Sequence, residues 1–484
     1  MAYLGLDLGT SGVKALLIGE DQRILGSAHA PLTVSRLHPG WSEQDPADWI
    51  SATEAVLDAL RAEQGAALSG LRGIGLSGHM HGATVLDAED RPLRPCILWN
   101  DVRSHVEAAE LDADPRFRAL TGNIVFPGFT APKLLWIRRH EPELFAKIRR
   151  VLLPKDHLRL WLTGEAVSEM SDASGTSWLD VGGRRWSPEL LAATDLDADR
   201  MPRLVEGSEV SGRLRPDLAA RWGLPPGVVV AGGAGDNAAS ACGVGAARPG
   251  AAFASLGTSG VLFASTAGFA PNPASAVHAF CHALPGIWHQ MGVILSAADA
   301  LNWFGRVMGR EGADLVAALG ETPRAPSGVA FLPYLSGERT PHNDAAARGA
   351  FLGLGHEAGP EALTQAVLEG VAFAFRDSLA ALEQAGTRLE RVTAVGGGSR
   401  SRLWLKILAT ALDLPVDLPA DGDFGAAFGA ARLGLIAAEG ADPLAICAPP
   451  LIRESFDPDP ALRGPYDEAY ARWRRLYPAL KGVA

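Results

Sequence analysis

Two short segments of identical sequence are the first candidates for chemistry in this chain. Leu8-Gly9-Thr10-Ser11-Gly12 recurs as Leu256-Gly257-Thr258-Ser259-Gly260. Each copy follows one apolar run and precedes another, which predicts a strand, a glycine-rich hairpin turn and a second strand. The backbone N–H groups and two hydroxyls of such a turn suit a phosphate. The repetition predicts two similar lobes with one phosphate-facing turn in each.

Two carboxylates stand next to glycine-rich turns. Asp7 immediately precedes the first turn, and a carboxylate beside phosphates is readily explained by a Mg²⁺ ion, bound directly or through water. Asp236 follows Gly232-Gly233-Ala234-Gly235 at a strand-to-helix junction, where it could accept a proton from a hydroxyl. Two simpler interpretations stay open at this point. Asp7 could bond its own turn, and Asp236 could cap its helix.

A third glycine-rich segment, Gly396-Gly397-Gly398, follows an apolar run and opens a predicted helix. Glycines let the backbone approach a ligand closely, and the N-terminus of a helix favours negative charge. Position 401 is serine, so the segment does not match the G-x-G-x-x-G pattern, which disfavours an NAD-dependent dehydrogenase. None of the six lysines follows a glycine, which excludes a Walker-A P-loop.

Polar residues beside aromatic ones follow two predicted strands of the first lobe. An imidazole, an amide or a carboxylate next to an aromatic plane can bind the hydroxyls of a sugar. Simpler interpretations remain here too, namely a core or surface histidine and a loop ion pair between Asp101 and Arg103. The candidates are Met80, His81, Trp99, Asn100 and Asp101.

Alternating helices and short apolar strands have to position these residues, which indicates an α/β fold with a central mixed sheet in each lobe. We expect a first lobe at residues 1–245 and a second lobe at 246–440. The remaining segment, 441–484, is proline-rich and then helical, and we expect it to pack on a lobe surface.

Composition limits the classes of partner. The 484 residues carry 55 acidic and 44 basic side chains, a formal net charge of −11, which disfavours nucleic acid and anionic membrane surfaces. No apolar run reaches about 18 residues, and no signal peptide is evident. The four cysteines form no CxxC pair, which is typical of a reducing compartment, so we expect a cytoplasmic protein.

The order of these segments resembles the FGGY family of carbohydrate kinases, and within it the xylulokinases, from about residue 3 to about residue 436. Further matching segments are Trp41-Ser42-Glu43-Gln44-Asp45-Pro46, 128–133 and 153–156 in the first lobe and 335–341 in the second. One departure is visible, because His79 stands where many xylulokinases have glutamine.

The resemblance implies two actin-like, ribonuclease-H-like lobes that bind ATP and a sugar in the cleft between them. It implies phosphorylation of D-xylulose on its terminal hydroxyl, with Asp236 as general base and Asp7 on the side of the phosphate and Mg²⁺. The sugar contacts that it implies are Met80, His81, Asp236 and Asn237, and Trp99, Asn100 and Asp101 stay candidates from their own residue types. The implied nucleotide contacts are Gly9, Thr10, Ser11, Gly257, Thr258, Ser259, Gly396, Gly397 and Gly398.

Two alternatives stay open beside this interpretation. One is the same reaction on another sugar or polyol, such as ribulose, glycerol or gluconate, and segment 78–84 is expected to discriminate among them. The other is a non-metabolic actin-like ATPase, which would need the phosphate turns but not a polyol site. The expected partners are a small-molecule sugar and ATP, with no nucleic acid and no membrane, and a homodimer is left open.

Overall fold

A computed structural model describes residues 1–420, 422 and 424–482. The first half of the chain contains one large mixed sheet and several separate pairs of strands. Its strands are β1 (Ala2–Leu8), β2 (Gly12–Gly19), β3 (Ile24–Pro31), β4 (Glu43–Gln44), β5 (Leu71–Gly78), β6 (Thr84–Leu86), β7 (Cys96–Ile97), β8 (Arg150–Leu152), β9 (Val167–Glu169), β10 (Leu179–Asp180), β11 (Arg185–Trp186), β12 (Arg203–Val205), β13 (Val210–Arg213), β14 (Val229–Ala231) and β15 (Ala234–Gly235). Its helices are α1 (Pro46–Leu68), α2 (His105–Asp112), α3 (Pro115–Thr121), α4 (Thr130–His140), α5 (Pro142–Phe145), α6 (Pro154–Thr163), α7 (Met170–Ala173), α8 (Pro188–Ala192), α9 (Pro216–Trp222) and α10 (Asp236–Val244).

The second half contains another large mixed sheet and a separate pair of strands. Its strands are β16 (Ala252–Leu256), β17 (Gly260–Thr266), β18 (His278–Cys281), β19 (Trp288–Ile294), β20 (Ala330–Leu332), β21 (Ala350–Leu352), β22 (Val392–Val395), β23 (Val416–Pro419) and β24 (Ile452–Phe456). Its helices are α11 (Ala298–Met308), α12 (Gly312–Ala318), α13 (Pro360–Gln384), α14 (Arg402–Leu412), α15 (Ala426–Glu439), α16 (Pro443–Ile446), α17 (Arg463–Trp473) and α18 (Leu476–Leu480).

The two large sheets share one local topology. In the first, the order is β13-β14-β5-β1-β2-β3, and β15 extends the pairing along the far end of β5. In the second, the order is β18-β19-β17-β16-β22-β23-β24. Each sheet contains an antiparallel hairpin, β1–β2 or β16–β17, whose first strand pairs in parallel with a later strand, β5 or β22. The predicted α/β fold with two similar lobes is confirmed.

The helix α15 packs on the first sheet although in the chain it lies between β23 and β24 of the second sheet. A Cβ atom at Gly5 would lie 1.8 Å from the carbonyl oxygen of Ala427, and one at Gly75 would lie 1.7 Å from that of Ala430. Glycine in β1 and β5 therefore lets the helix backbone approach the sheet. The predicted boundary at residue 440 places α15 with the second lobe, whereas its packing places it on the first.

The C-terminal segment packs on the second lobe. Strand β24 pairs antiparallel with the edge strand β23. Helix α17 buries Tyr466, Ala469 and Trp473 in the second core, and the indole N–H of Trp473 donates to the carbonyl of Phe331 at 2.7 Å. Aromatic burial of this kind stabilises the attachment of the segment. None of the helices within the described ranges is long and apolar enough to cross a membrane.

The two lobes contact each other along strand β18. Asn123 of the first lobe donates its side-chain N–H to the carbonyl of Ala279 at 2.9 Å and accepts the N–H of Ala279 at 3.0 Å. Nearby, the indole N–H of Trp288 donates to the carbonyl of Val181 at 2.8 Å. These hydrogen bonds between side chains and backbone groups hold the two lobes together.

Candidate active site

Asp7 and Asp236 are placed by two strands that flank β5 in the first sheet, since Asp7 lies on β1 and Asp236 opens α10 directly after β15. Asp7 pairs with Ser77 of β5 in parallel register, and on the other side of β5 Ser77 pairs with Ala234. Because parallel strands end at the same edge of a sheet, Asp7 and the start of α10 at Asp236 face the same opening. The sequence prediction that both carboxylates stand at strand ends agrees with this arrangement.

The carboxyl group of Asp236 has a raised pKa. Burial raises its pKa to about 6, and the negative charge of Asp7 adds to the rise. The backbone and side-chain N–H groups of Asn237 donate to Oδ1 of Asp236 at 2.7 and 2.9 Å and oppose the rise. A carboxylate with a pKa near 6 is ionised at neutral pH and still basic enough to accept a proton.

The first predicted phosphate turn connects β1 to β2. The backbone N–H of Gly9 donates to the carbonyl of Gly12 at 2.9 Å, and the carbonyl of Thr10 accepts from the side-chain amide of Gln44 at 2.8 Å. The hydroxyl oxygen of Thr10 accepts the indole N–H of Trp99 at 3.0 Å, and Ser11 is exposed. Hydrogen bonds to the carbonyls of Gly12 and Thr10 and to the Thr10 hydroxyl thus stabilise the turn, while the exposed Ser11 hydroxyl remains accessible to a ligand.

The second predicted phosphate turn lies against the third glycine-rich segment. The carbonyls of Gly257 and Thr258 accept N–H groups of Ala298 and Ala297 at 2.8 and 2.9 Å, while Thr258 and Ser259 are exposed. Gly396 has a φ of +89°, and a Cβ atom there would lie 2.9 Å from the carbonyl carbon of Leu256. Glycine is required at 396 both for its left-handed backbone and for this close approach.

A cavity of about 630 Å³ joins the two lobes at this point. Asn237 and Ser240 of α10 line one side of it, and Ser255, Gly396 and Ser399 line the other. Its volume is within the range of about 300–1,000 Å³ for ligand pockets. The structure therefore brings Asn237, the neighbour of Asp236, and Gly396 of the third glycine-rich segment to one cavity.

The proposed sugar residues Met80 and His81 follow the end of β5. Met80 is buried, and it packs so closely against Gly235 that a Cβ atom at Gly235 would lie only 2.8 Å from Sδ of Met80. His81 has a φ of +70°, and its ring stacks on Phe129 with the ring centroids 4.4 Å apart. Nδ1 of His81 donates to the carbonyl of Gly175 at 2.7 Å, because a carbonyl can only accept.

That hydrogen bond determines what His81 offers to a ligand. Burial lowers the pKa of His81 to about 3, so its imidazole is neutral. With its proton on Nδ1, the Nε2 atom is a hydrogen-bond acceptor and suits a hydroxyl group.

Comparisons with known proteins assign the chain to a family. Residues 2–243 match the N-terminal domain of the FGGY family of carbohydrate kinases, and residues 252–438 match its C-terminal domain. The chain belongs to the FGGY family of carbohydrate kinases.

Relatives of this kinase cover its whole length. It is 50% identical to the xylulose kinase of Escherichia coli over 99% of each chain. The crystal structure of a xyloylose kinase from Brucella ovis superposes with a TM-score of 0.99 at 66% identity, covering 100% of both chains. The xylulose kinase of Rhodospirillum rubrum superposes with a TM-score of 0.92 at 34% identity, covering 100% of this chain and 99% of the other. The predicted family is confirmed.

Lys133 holds the kinase's His81 in place, a role that the sequence analysis did not assign. Its Nζ donates to the carbonyls of His81 and Gly128 at 2.8 and 2.7 Å, and the hydroxyl of Thr130 donates to the His81 carbonyl at 3.2 Å. Lys133 is fully buried, and burial lowers its pKa to about 7. The sequence did indicate that Lys133 could be functional, because it is one of only six lysines and lies in a segment that resembles the family.

A second missed group is a fully buried ion cluster behind Asp236. Nζ of Lys155 lies 2.8–3.3 Å from three carboxylates, and burial raises the pKa of Asp172 well above its usual range. The backbone N–H of Gly235 donates to the hydroxyl oxygen of Ser171 at 3.0 Å, and that hydroxyl donates to Glu169 of the cluster. The cluster consists of Lys155, Asp156, Glu169 and Asp172. It fixes the backbone immediately before the proposed base.

The predicted sugar contact of Asp101 does not fit the structure. Asp101 is fully buried, and its carboxylate accepts the backbone N–H of Ser42 at 2.6 Å and three N–H groups of Arg103 at 2.7–2.9 Å. Of the two interpretations of Asp101, the structure thus shows the ion pair with Arg103 within the loop. Trp99 is half exposed beside Thr10, and Oδ1 of Asn100 is buried and accepts no hydrogen bond from the described residues.

His79, the departure from the family pattern, faces the interior of the first lobe. It is buried, and its ring meets Trp49 edge to face with the centroids 5.8 Å apart. Burial lowers the pKa of His79 to about 3, so this histidine is neutral. The departure from the family pattern therefore lies at a core position, where the ring packs against Trp49.

Proposed function

We propose that this kinase transfers the γ-phosphoryl group of ATP to the terminal hydroxyl of D-xylulose and forms D-xylulose 5-phosphate. The observation that carries the proposal is the position of Asp236, whose raised pKa suits a base and whose neighbour Asn237 lines the same cavity as Gly396. The full-length similarity to xylulose kinases of E. coli and R. rubrum supports D-xylulose as the acceptor.

In this mechanism Asp236 accepts the proton of the sugar hydroxyl as that oxygen attacks the γ-phosphorus. A new O–P bond forms, the bond to the bridging oxygen breaks, and ADP leaves. General-base catalysis of this kind contributes about 10²–10⁴-fold to the rate. Phosphoryl transfer otherwise depends on positioning and charge stabilisation. We assign these to the turns at 9–11 and 257–259 and to the glycines at 396–398.

Asp7 is the proposed carboxylate on the Mg²⁺ side. No three His, Cys, Asp or Glu side chains within the described ranges come close enough to hold a metal ion by themselves. The proposal rests on the place of Asp7 beside the turn at 9–11, because Mg²⁺ is usually bound through one or two carboxylates, substrate phosphates and several waters. When bound, Mg²⁺ would neutralise charge on the phosphate oxygens.

For the sugar we propose contacts at Met80, His81, Asn100 and Asn237, with Trp99 at the rim. Asp101 would act indirectly, because its ion pair with Arg103 holds the loop that carries Trp99 and Asn100. The acceptor Nε2 of His81 would receive a hydroxyl hydrogen. A cytoplasmic location, where ATP and a free sugar are available, is part of the proposal.

The test is an assay of ADP release against D-xylulose, D-ribulose, glycerol and gluconate, each with ATP and Mg²⁺. We expect the highest kcat/KM with D-xylulose, and the product should carry phosphate on the terminal carbon by ³¹P NMR. A higher kcat/KM with another acceptor would assign that acceptor instead. ADP release that is independent of every acceptor would favour an actin-like ATPase.

A further inference from the structure

Arg339 extends from the second lobe into an aromatic cluster shared by both lobes. Its guanidinium lies 4.0 Å from the ring centroid of Phe126, a residue of the first lobe. Its Nη1 donates to Nε2 of His278 on β18 at 3.3 Å. His278 in turn lies 5.8 Å, between ring centroids, from Phe129, on which His81 stacks. The guanidinium therefore lies close enough to His81 for its charge to contribute to the lowered pKa of that histidine.

Among the residues that the structure describes, no carboxylate forms an ion pair with the guanidinium of Arg339. Its nearest acidic neighbour is Glu338, whose Oε1 accepts the backbone N–H groups of Leu295 and Arg339 at 3.0 and 2.8 Å. Burial raises the pKa of Glu338 to about 8 and lowers that of Arg339 to about 10, so the acid is mostly protonated at neutral pH and the guanidinium stays charged. A half-buried cation in this state favours an electron-rich ligand.

His278 supplies a second donor beside it. Arginine can only donate, so Nε2 of His278 is the acceptor of their hydrogen bond and the ring proton is on Nδ1. That Nδ1 atom is buried and has no hydrogen-bond partner among the residues that the structure describes. The second lobe thus presents donors, whereas His81 of the first lobe presents an acceptor at Nε2.

We propose that Arg339, oriented by His278, determines the preference for a ketose by donating to its carbonyl oxygen. A carbonyl oxygen accepts two hydrogen bonds and has no hydrogen of its own to satisfy. A hydroxyl at the same carbon would bring a hydrogen toward two donors, where it finds no acceptor, and such an unpaired group is unfavourable in a closed site. This inference rests on the proposed function, since it names the group that selects the substrate of that same site.

The test compares D-xylulose with xylitol, in which the carbonyl is reduced to a hydroxyl. We would measure kcat/KM for each, or the inhibition constant of xylitol if it turns over too slowly, in the wild type and in Arg339→Met. The variant should lose about 10- to 100-fold with D-xylulose, as expected for a hydrogen bond from a charged group, and much less with xylitol. The KM for ATP should change by no more than about twofold.

Arg376→Met is the matched control. Arg376 lies on α13 of the same lobe, 4.3 Å from the ring centroid of Tyr470, and forms an ion pair with Asp467. The Arg376→Met variant therefore loses a stacked, charged side chain of the same kind away from the proposed sugar residues. We expect its ratio of kcat/KM for D-xylulose to that for xylitol to equal the wild-type ratio. If Arg339→Met does not fold, Arg339→Lys keeps the charge with a different donor geometry and should give an intermediate ratio.

Equal losses with both acceptors, or an unchanged ratio in a folded Arg339 variant, would overturn the role of Arg339 and leave the proposed function intact. Failure of the wild-type protein to phosphorylate D-xylulose would instead contradict the proposed function itself. The two failures are distinguishable because the first needs an active wild-type enzyme.

Discussion

Asp7 on β1 and Asp236 at the start of α10, directly after β15, lie at the same edge of the first sheet, where β1 and β15 flank β5. The charge of Asp7 contributes to the raised pKa of Asp236. The two carboxylates are therefore close enough for the charge of one to change the pKa of the other. In the proposed reaction Asp236 accepts a proton, and Asp7 remains an anion on the phosphate side.

The pH dependence of turnover should report the pKa of Asp236. Because the base must be ionised, kcat/KM for D-xylulose should be constant at neutral pH and fall as the pH drops through about 6. Asp7→Asn removes a charge that raises this pKa, so the acidic limb of its residual activity should move to lower pH. A limb that stays in place in Asp7→Asn would show that the two carboxylates are not coupled.

The response to Mg²⁺ tests Asp7 separately. Asp7→Ala should be strongly impaired, and added Mg²⁺ should no longer raise its activity as it does for the wild type. The comparison is a titration of initial rate against Mg²⁺ at fixed ATP. A titration curve like that of the wild type would remove Asp7 from the metal side of the site.

His81→Ala should weaken the use of sugar more than the use of ATP. Loss of the Nε2 acceptor leaves a substrate hydroxyl unpaired, at a cost of about 1–3 kcal/mol, which is about 5- to 150-fold in kcat/KM for the sugar. His140→Ala is the matched control, because His140 also stacks on an aromatic ring, that of Trp136, at 4.6 Å on the outside of the lobe. Equal effects of His81→Ala on the KM values of sugar and ATP would argue for a purely structural histidine.

The packing of α15 on the first sheet can be tested by stability. A Cβ atom at Gly75 would lie 1.7 Å from a backbone oxygen, so Gly75→Ala should lower the free energy of unfolding by about 1–3 kcal/mol or more. Gly464→Ala, in α17, meets nothing within 4 Å and should leave stability unchanged or slightly raised. Equal melting temperatures of the two variants would contradict the close approach of α15.

The sequence revealed those parts of the site that are local in the chain. The repeated Leu-Gly-Thr-Ser-Gly segments and the strand Val392–Val395 are visible because apolar runs and glycine turns lie next to each other. The pairing of His278 with Arg339 was not predictable, because residues 61 positions apart meet only through the tertiary fold. Nor could the pattern of α15 tell which sheet it covers, since a helix rich in small and apolar residues fits either.

Asp101 illustrates a different limit. Its position after Trp99 and Asn100 is compatible with a sugar contact and with an ion pair, and only the structure shows that Ser42 and Arg103 use its oxygens. A sequence pattern gives the types of donor and acceptor available, whereas burial and hydrogen-bond partners decide which of them remain for a ligand.

Asp236→Asn tests the central claim most directly. The change is nearly isosteric and removes only the proton acceptor, so ATP binding by calorimetry and the melting temperature should be close to those of the wild type. The rate of D-xylulose-dependent ADP release should fall by about 10²-fold or more. Retention of more than about a tenth of the wild-type rate, with the same preparation shown to bind ATP, would contradict the assignment of Asp236 as the general base.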